Sequence, residues 1–213
     1  MGQSISKEGW RNLTKRIVVV ASGRGSNFQA IIGALQRGSI PAECVALVTD
    51  NPKAYAIERA QGANIPVVVV DYSSFATREL YEQALFTALK DTRPDLVVLA
   101  GYMRIVGSAI VREYAGKMMN IHPALLPSFT GLHAQRQALE HGVKLTGCTV
   151  HFVDESLDGG PIILQRCVRV MDDDDEDTLA NRILIQEHLA LPEAVRLFCE
   201  DRLSIEGRKV KTC

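Results

Sequence analysis

The chain has 213 residues, of which 46% are hydrophobic and 23% charged, the composition of an ordinary globular domain. Its net charge of −1 argues against nucleic acid or an anionic membrane as a partner, so an anionic ligand must be met by a local site. Its five cysteines form no C-x-x-C pair and no apolar run nears the ~20 residues of a membrane span, so we expect a cytoplasmic protein with free thiols.

The amino-terminal part of the chain alternates apolar runs of strand length with segments of helical periodicity. Continuous apolar runs predict parallel strands buried on both faces at residues 16–21, 44–49, 66–70, 95–100 and 117–121. Helices are predicted between these strands at residues 28–36, 53–61, 75–90 and 108–114. For the third helix we expect Ser73 or Ser74 as the cap and an apolar stripe of Leu80, Ala84, Leu85 and Leu89. The alternation predicts an α/β fold with a mostly parallel, doubly wound sheet.

The pattern changes in the carboxyl-terminal part. After a short helix at 134–141, strands at 146–153 and 162–170 are separated only by DESLDGGP, which is too short for a helical crossover and therefore predicts an antiparallel pair. The acidic run 172–177 precedes a long helix, where its carboxylates either bind a metal or cap the positive end of the helix dipole, and the dipole favours the cap. With an edge strand near residue 203, we expect a single domain over residues 16–213 after a tail of residues 1–15.

The first motif with chemical content is SGRGSN, between the first predicted strand and the first predicted helix. Its glycines let the backbone approach a ligand, and the free N–H groups of a helix start attract phosphate. A dinucleotide fingerprint would need glycine where Phe28 stands, although Asp50 at the end of the second strand keeps that interpretation open. The motif also fits a phosphate-monoester site made by Gly25, Ser26 and Asn27, or a tight turn in which Ser26 caps the helix.

The second motif, MMNIHPALLP, places Asn120 and His122 two residues apart at the end of the fifth strand, where open α/β sheets bind ligands. The pair is either catalytic, or it is a core pair whose side chains only hydrogen bond to backbone groups of the loop. Asp158, in the turn LDGGP, belongs either to an ordinary hairpin loop or to a loop that returns beside His122, where a carboxylate raises the pKa of an imidazole. Together the three residues suit the stabilisation of an oxyanion and the movement of protons, with the attacking group supplied by a substrate.

Other polar residues are less informative. We interpret His151, on one face of a predicted strand, as a core histidine, and His141 and His188 as surface or packing residues on helices. Glu187, on the long helix, has no distinguishing context by itself.

With these motifs in place, the chain resembles the phosphoribosylglycinamide formyltransferases, the folate-dependent formyl-transfer enzymes of purine synthesis. The resemblance runs from about Arg16 to Leu203 and rests on SGRGSNFQAI, LAGYMRI, MNIHPALLPSFTGLHAQRQALEHG, TGCTVHFVDESLDGGPIILQ and IQEH. It implies a Rossmann-like formyltransferase fold whose amino-terminal half binds the phosphate of glycinamide ribonucleotide and whose carboxyl-terminal half binds folate. It also implies 10-formyltetrahydrofolate as cosubstrate, no metal, no nucleic-acid or membrane partner, and a monomer or homodimer.

The resemblance assigns roles to matching positions. Asn120 would contact the formyl group, His122 would be the general acid, and Asp158 would raise the pKa of His122. The ribonucleotide would be held by Gly25, Ser26, Asn27 and Glu187. The folate would be bordered by Arg78, Met103, Arg104, Ile105, Val106, Asn120, Asp154, Glu155, Ser156, Leu157 and Asp158.

Two departures and two alternatives accompany this interpretation. Leu184 stands where a polar side chain is often seen, which leaves one ribose contact open, and Ala124 replaces the serine that is common after H-P. The first alternative is a formyltetrahydrofolate hydrolase, which is expected to carry a further amino-terminal domain for which this chain has no room. The second is a non-catalytic nucleotide-binding module that uses SGRGSN alone, which does not account for Asn120, His122 and Asp158.

Overall fold

A computed structural model describes residues 14–213, so nearly all of the predicted tail lies outside the described residues. The strands are β1 Lys15–Val20, β2 Ala42–Thr49, β3 Val67–Val69, β4 Leu96–Leu99, β5 Met118–His122, β6 Leu145–Phe152, β7 Ile162–Arg169, β8 Leu203–Glu206 and β9 Lys209–Thr212. The helices are α1 Ser26–Gln36, α2 Ala56–Gly62, α3 Arg78–Thr92, α4 Ser108–Glu113, α5 Ala134–Glu140 and α6 Glu176–Cys199, with a 3-10 turn at Tyr72–Ser74. Each predicted strand and helix is present, and β9 is a strand that the sequence analysis missed.

Within residues 14–213 the strands form one sheet in the order β3-β2-β1-β4-β5-β6-β7-β9-β8. The pairs among β1 to β5 are parallel, whereas β5–β6, β6–β7 and β8–β9 are antiparallel. This confirms the mostly parallel, doubly wound sheet with antiparallel strands in the carboxyl-terminal part. The strand order reverses between β1 and β4, and such a switch point opens a crevice at the carboxyl ends of the strands.

Alternate side chains of the central strands face two layers of helices. Ile17 and Val19 of β1 pack in a cluster with α1, α2, α5 and α6, while Val18 and Val20 pack in a second cluster with α3 and α4. Coverage of both faces explains why these strands are continuous apolar runs in the sequence. The packed sheet is therefore a rigid frame for the loops at its carboxyl-terminal edge.

The predicted cap of α3 is wrong, whereas its predicted apolar stripe is right at Ala84, Leu85 and Leu89 and wrong at Leu80. Thr77 caps the helix, because its hydroxyl accepts the Leu80 N–H at 3.3 Å, while Ser73 and Ser74 lie in the preceding 3-10 turn. Leu80 is half exposed, and Tyr81 takes its place among the buried residues of the helix. Three residues with a hydroxyl group lie within five positions, and each of them is a suitable N-cap. The one that caps the helix depends on where the helix packs in the fold, which the local sequence does not determine.

The acidic run 172–177 caps α6, as the helix dipole predicts. The Asp175 carboxylate accepts the Thr178 N–H at 2.8 Å, and the Thr178 hydroxyl accepts the Asp175 N–H at 2.9 Å, which together form a capping box. Asp174 is ion-paired with Arg182. Among residues 14–213 there is no group of three or more His, Cys, Asp or Glu side chains arranged to hold a metal ion.

The carboxyl-terminal hairpin β8–β9 lies at the edge of the sheet beside β7, where Lys209 pairs with Ile162. The predicted edge strand near residue 203 is confirmed, but β9 (KVKT) carries only one apolar side chain and gave no periodic pattern. All five cysteines lie in the described part and are free thiols. None of the described helices is long and apolar enough to span a bilayer.

Candidate functional site

The crevice at the switch point is bounded by the loops that follow β1 and β4. Ser22, after β1, donates its N–H to the Gly101 carbonyl at 3.1 Å, and its hydroxyl accepts the Met103 N–H at 3.0 Å. The predicted phosphate loop is thus hydrogen bonded directly to the loop 101–106, which holds several of the residues predicted to contact the second substrate.

The start of α1 is shaped by Gly25. This residue is the N-cap with φ 66°, and a Cβ there would lie 2.7 Å from the Ala56 side chain, so only glycine fits without strain. Ser26 is the first residue inside the helix and its side chain makes no cap bond, so the alternative in which Ser26 caps the helix is wrong. Since no described side chain caps this helix start, its N–H groups can accommodate an anion.

Asn27 and Glu187 form a buried polar contact between α1 and α6. Asn27 Nδ2 donates to Glu187 Oε2 at 2.7 Å, and the two residues are only 7% and 8% exposed. Asn27 Oδ1 is also buried and has no hydrogen-bond partner among the described residues. Burial raises the pKa of Glu187 above its ordinary value, although the hydrogen bond from Asn27 opposes this effect. Leu184, one turn earlier on α6, is partly buried. An unpaired acceptor and a buried carboxylate are features of a ligand pocket rather than of a stabilising core.

Replacing Glu187 with glutamine is expected to stabilise the fold at pH 8 by on the order of 1 kcal/mol. The raised pKa means that the folded state holds the ionised carboxylate less well than the unfolded state does, whereas a carboxamide is neutral and still accepts the Asn27 hydrogen bond. This gain should shrink as the pH falls towards the ordinary carboxyl pKa of 4.5, because the penalty applies only to the ionised form.

Urea unfolding between pH 4.5 and 8 measures this effect. Glu58→Gln, which changes an exposed glutamate on α2, is the matched control and should lack the gain in stability at pH 8. A Glu187→Gln variant that is less stable than wild type at pH 8 would contradict the expectation.

Asn120 and His122 share one face of β5, as their spacing predicts. Strand β6 pairs antiparallel with β5 and places His151 opposite Asn120 and Thr149 opposite His122. His122 is buried, and its Nε2 donates a hydrogen bond to the Phe129 carbonyl at 2.7 Å. Four polar side chains of two adjacent strands therefore face the same side at the carboxyl end of β5.

Asp158 returns beside this group. Its Oδ2 lies 3.5 Å from His122 Nδ1 and its Oδ1 lies 3.8 Å from His151 Nε2. Its carboxylate also accepts the Gly131 N–H at 2.8 Å, which ties the loop 154–161 to the loop that follows β5. The structure thus brings together the three residues predicted to be catalytic and adds His151 as a fourth.

His151 is buried, as predicted for a core residue, but it contacts the site. Its Nδ1 donates to the Phe152 carbonyl at 2.9 Å, and its Nε2 lies 3.3 Å from Asn120 Nδ2. Burial lowers the pKa of His151, outweighing the opposite effects of the Phe152 carbonyl and of Asp158. A neutral imidazole protonated at Nδ1 accepts from Asn120, which orients the amide and leaves its second N–H for a ligand. Only the pairing register of β5 with β6 places His151 opposite Asn120, and that register cannot be read from the sequence alone.

The predicted residues of loop 101–106 differ in their surroundings. The side chains of Met103 and Ile105 are 65% and 66% exposed, whereas Val106 packs against the second core cluster. Arg104 Nε is ion-paired with the buried carboxylate of Asp50 at 2.5 Å. Arg78 on α3 donates to the Ile105 carbonyl at 3.4 Å. This loop therefore presents two apolar side chains on a tethered backbone.

The segment 154–157 leads into Asp158 as a turn. The Asp154 carboxylate accepts the Ser156 N–H at 2.9 Å and closes this turn. Glu155 is exposed and ion-paired with Arg112 at 2.8 Å, and Leu157 is exposed. The Asp154 side chain therefore holds the turn, while the side chains of residues 155–157 are exposed.

At one edge of the sheet, the structure combines a helix start suited to an anion, the buried Asn27–Glu187 contact with its unpaired acceptor, and an amide–imidazole–carboxylate group. An amide N–H beside an imidazole suits a carbonyl oxygen that gains negative charge during reaction. The imidazole also suits proton transfer between atoms of bound ligands. Since Asn120, His122, His151 and Asp158 include no serine or cysteine, this group fits a reaction whose nucleophile is a substrate.

Comparisons with known proteins agree with this chemistry. Residues 15–195 match the model of the formyl transferase family. The chain is 44% identical over 189 residues to the phosphoribosylglycinamide formyltransferase of Escherichia coli (strain K12), with 89% of each protein covered. Glycinamide ribonucleotide transformylase 1 from Symbiobacterium toebii superposes with a TM-score of 0.91 at 47% identity, covering 93% of this chain and 94% of that one.

A longer relative shares the same stretch. The trifunctional purine biosynthetic protein adenosine-3 of Drosophila melanogaster is 47% identical over 185 residues, which is 86% of this chain. The chain spans only 14% of the length of that relative.

Proposed function

This chain belongs to the formyl transferase family, and from that premise we propose that it transfers the formyl group of 10-formyltetrahydrofolate to the amine of glycinamide ribonucleotide. The products are formylglycinamide ribonucleotide and tetrahydrofolate, and the reaction belongs to de novo purine biosynthesis. The observation that carries the proposal is the grouping of Asn120, His122 and Asp158 beside a helix start suited to phosphate. No metal takes part.

The ribonucleotide is proposed to bind at α1. The N–H groups at Gly25, Ser26 and Asn27 receive its phosphate, because a helix start carries unpaired donors and the positive end of the dipole. The unpaired Asn27 Oδ1 and the buried Glu187 carboxylate are acceptors for ribose hydroxyl groups. Leu184 supplies no polar group, so Glu187 is the α6 side chain that we assign to this substrate.

Formyl transfer proceeds without a covalent enzyme intermediate. The amine nitrogen forms a bond to the formyl carbon, and the carbonyl electron pair moves onto oxygen. The available N–H of Asn120 and the Nδ1–H of protonated His122 stabilise this oxyanion, because Nε2 of that ring is held by the Phe129 carbonyl and the Asp158 carboxylate lies 3.5 Å from Nδ1. The bond to N10 of the folate then breaks, and the proton lost by the amine passes to N10 through His122 or a bound water. One donor of this kind contributes roughly 3–4 kcal/mol.

The folate is proposed to occupy the crevice between loop 101–106 and the segment 154–158. The exposed side chains of Met103 and Ile105 supply apolar contact, Arg104 and Val106 hold the loop, and Arg78 lies towards the charged tail of the folate. The backbone of Asp154, Glu155, Ser156, Leu157 and Asp158 borders the pterin ring. Residues 16–213 are proposed to act as one cytoplasmic catalytic domain, as a monomer or homodimer, and the single continuous sheet supports one domain.

The alternative is a hydrolase that passes the formyl group to water at the same residues. Purified protein is expected to form tetrahydrofolate only when 10-formyltetrahydrofolate and glycinamide ribonucleotide are both present, with formylglycinamide ribonucleotide formed in equal amount. The measurement is folate absorbance together with mass spectrometry of the nucleotide product. Equal folate turnover without the ribonucleotide would show a hydrolase, and binding without turnover would show a non-catalytic module.

A further inference from the structure

Asp50, at the end of β2, is the residue that a dinucleotide-binding protein would use for a ribose, but here it is engaged inside the protein. It is only 5% exposed, and its Oδ2 accepts a hydrogen bond from Arg104 Nε at 2.5 Å. Its backbone carbonyl accepts the Tyr72 N–H at 3.1 Å. The same residue therefore contacts both Arg104 and Tyr72.

Arg104 is held from two sides by these neighbours. The guanidinium carbon lies 3.5 Å from the centroid of the Tyr72 ring, a cation–π contact, while Nε is paired with the Asp50 carboxylate. A charge-assisted bond to a buried carboxylate and a stacked ring together restrict a side chain that otherwise has many rotamers. Arg104 is consequently an anchor for the loop that contains it.

Every other residue from 101 to 105 is also tethered. Ser22 bonds to the backbone of residues 101 and 103, the Tyr102 hydroxyl lies 2.6 Å from that of Tyr81, and Arg78 donates to the carbonyl of residue 105. The loop nevertheless exposes about two thirds of the side chains of Met103 and Ile105. A fixed backbone that presents apolar side chains to solvent is a preorganised binding surface.

We propose that Asp50 is a positioning residue, which with Tyr72 holds Arg104 and so keeps loop 101–106 in the conformation that receives the formyl-folate. This inference rests on the proposed function, because it takes the folate to be the ligand of that loop. It also accounts for a buried acidic residue that the ribonucleotide site and the formyl-transfer group do not use.

The test compares wild type with Asp50→Asn, which keeps the shape of the side chain and removes its charge. We expect the KM for 10-formyltetrahydrofolate to rise about tenfold, as for the loss of one charge-assisted bond. The kcat and the KM for glycinamide ribonucleotide should stay within about twofold, since Asp50 touches neither the phosphate loop nor the formyl-transfer group. Asp95→Asn, which changes an exposed carboxylate at the opposite end of β4, is the matched control.

A double variant shows whether Asp50 acts through Arg104. Asp50→Asn combined with Arg104→Met should raise the folate KM no more than Arg104→Met alone, because the two changes remove one interaction. Fully additive effects would overturn the inference, as would a wild-type folate KM in Asp50→Asn. Tyr72→Leu, which keeps an apolar contact but removes the ring face, should also raise the folate KM selectively.

Hydrogen exchange separates a failure of this inference from a failure of the proposed function. In Asp50→Asn the amides of residues 103–105 should exchange faster than in wild type, whether or not the protein transfers formyl groups. Wild type without two-substrate turnover would overturn the proposed function, and the exchange result would still decide the role of Asp50. Unchanged exchange at these amides would exclude that role, as an unchanged folate KM does.

Discussion

Replacing Asp158 with asparagine is expected to lower kcat for formyl transfer by about a hundred- to thousandfold, with little change in either KM. The carboxamide oxygen still accepts the Gly131 N–H, so the loop keeps its position. The negative charge that lies 3.5 Å from His122 Nδ1 is lost, however, so protonated His122 has no counter-charge when the oxyanion forms. The loss therefore falls on the transition state rather than on substrate binding.

Steady-state kinetics with each substrate varied in turn, together with the melting temperature, test this expectation. Asp172→Asn is the matched control, because Asp172 is a solvent-exposed carboxylate ion-paired with Lys144 outside the site. The control should keep wild-type kcat, and both variants should melt within a few degrees of wild type. A kcat for Asp158→Asn near that of wild type would rule out an electrostatic role for Asp158.

The fold was largely predictable because the central strands are buried on both faces. Such strands appear in the sequence as uninterrupted apolar runs, and the short DESLDGGP connection allowed only an antiparallel pair. Features for which several neighbouring residues are equally suitable, or for which the apolar pattern is weak, were less predictable. Thr77 rather than Ser73 or Ser74 caps α3, and β9 has too few apolar residues to give a pattern.

The candidate site was predictable where its residues share one element and less so where they meet through tertiary structure. Spacing alone placed Asn120 and His122 on one face of β5. The position of His151 opposite Asn120 depends on the β5–β6 register, and the Asn27–Glu187 contact joins residues 160 positions apart. No periodicity encodes such long-range pairings.

His122→Ala is expected to lower kcat by about a thousandfold while the enzyme still binds both substrates. The substitution removes the imidazole that carries the transferred proton and stabilises the oxyanion in the proposed mechanism. It also leaves the Phe129 carbonyl without its hydrogen bond at 2.7 Å, which should destabilise the fold by about 1–3 kcal/mol. Calorimetric binding, kcat and urea unfolding measure the three effects separately.

Two further variants separate the catalytic loss from the structural one. His141→Ala removes a histidine whose Nδ1 also donates to a backbone carbonyl, that of Gln137, and whose ring contacts Phe129, so it controls for disturbance of that residue. It should keep wild-type kcat. His122→Gln retains an N–H donor for the Phe129 carbonyl but cannot carry a proton near neutral pH. If glutamine restores stability but not kcat, His122 acts through its ionisable ring; if it restores both, only the hydrogen bond to Phe129 matters, and the proposed proton transfer is wrong.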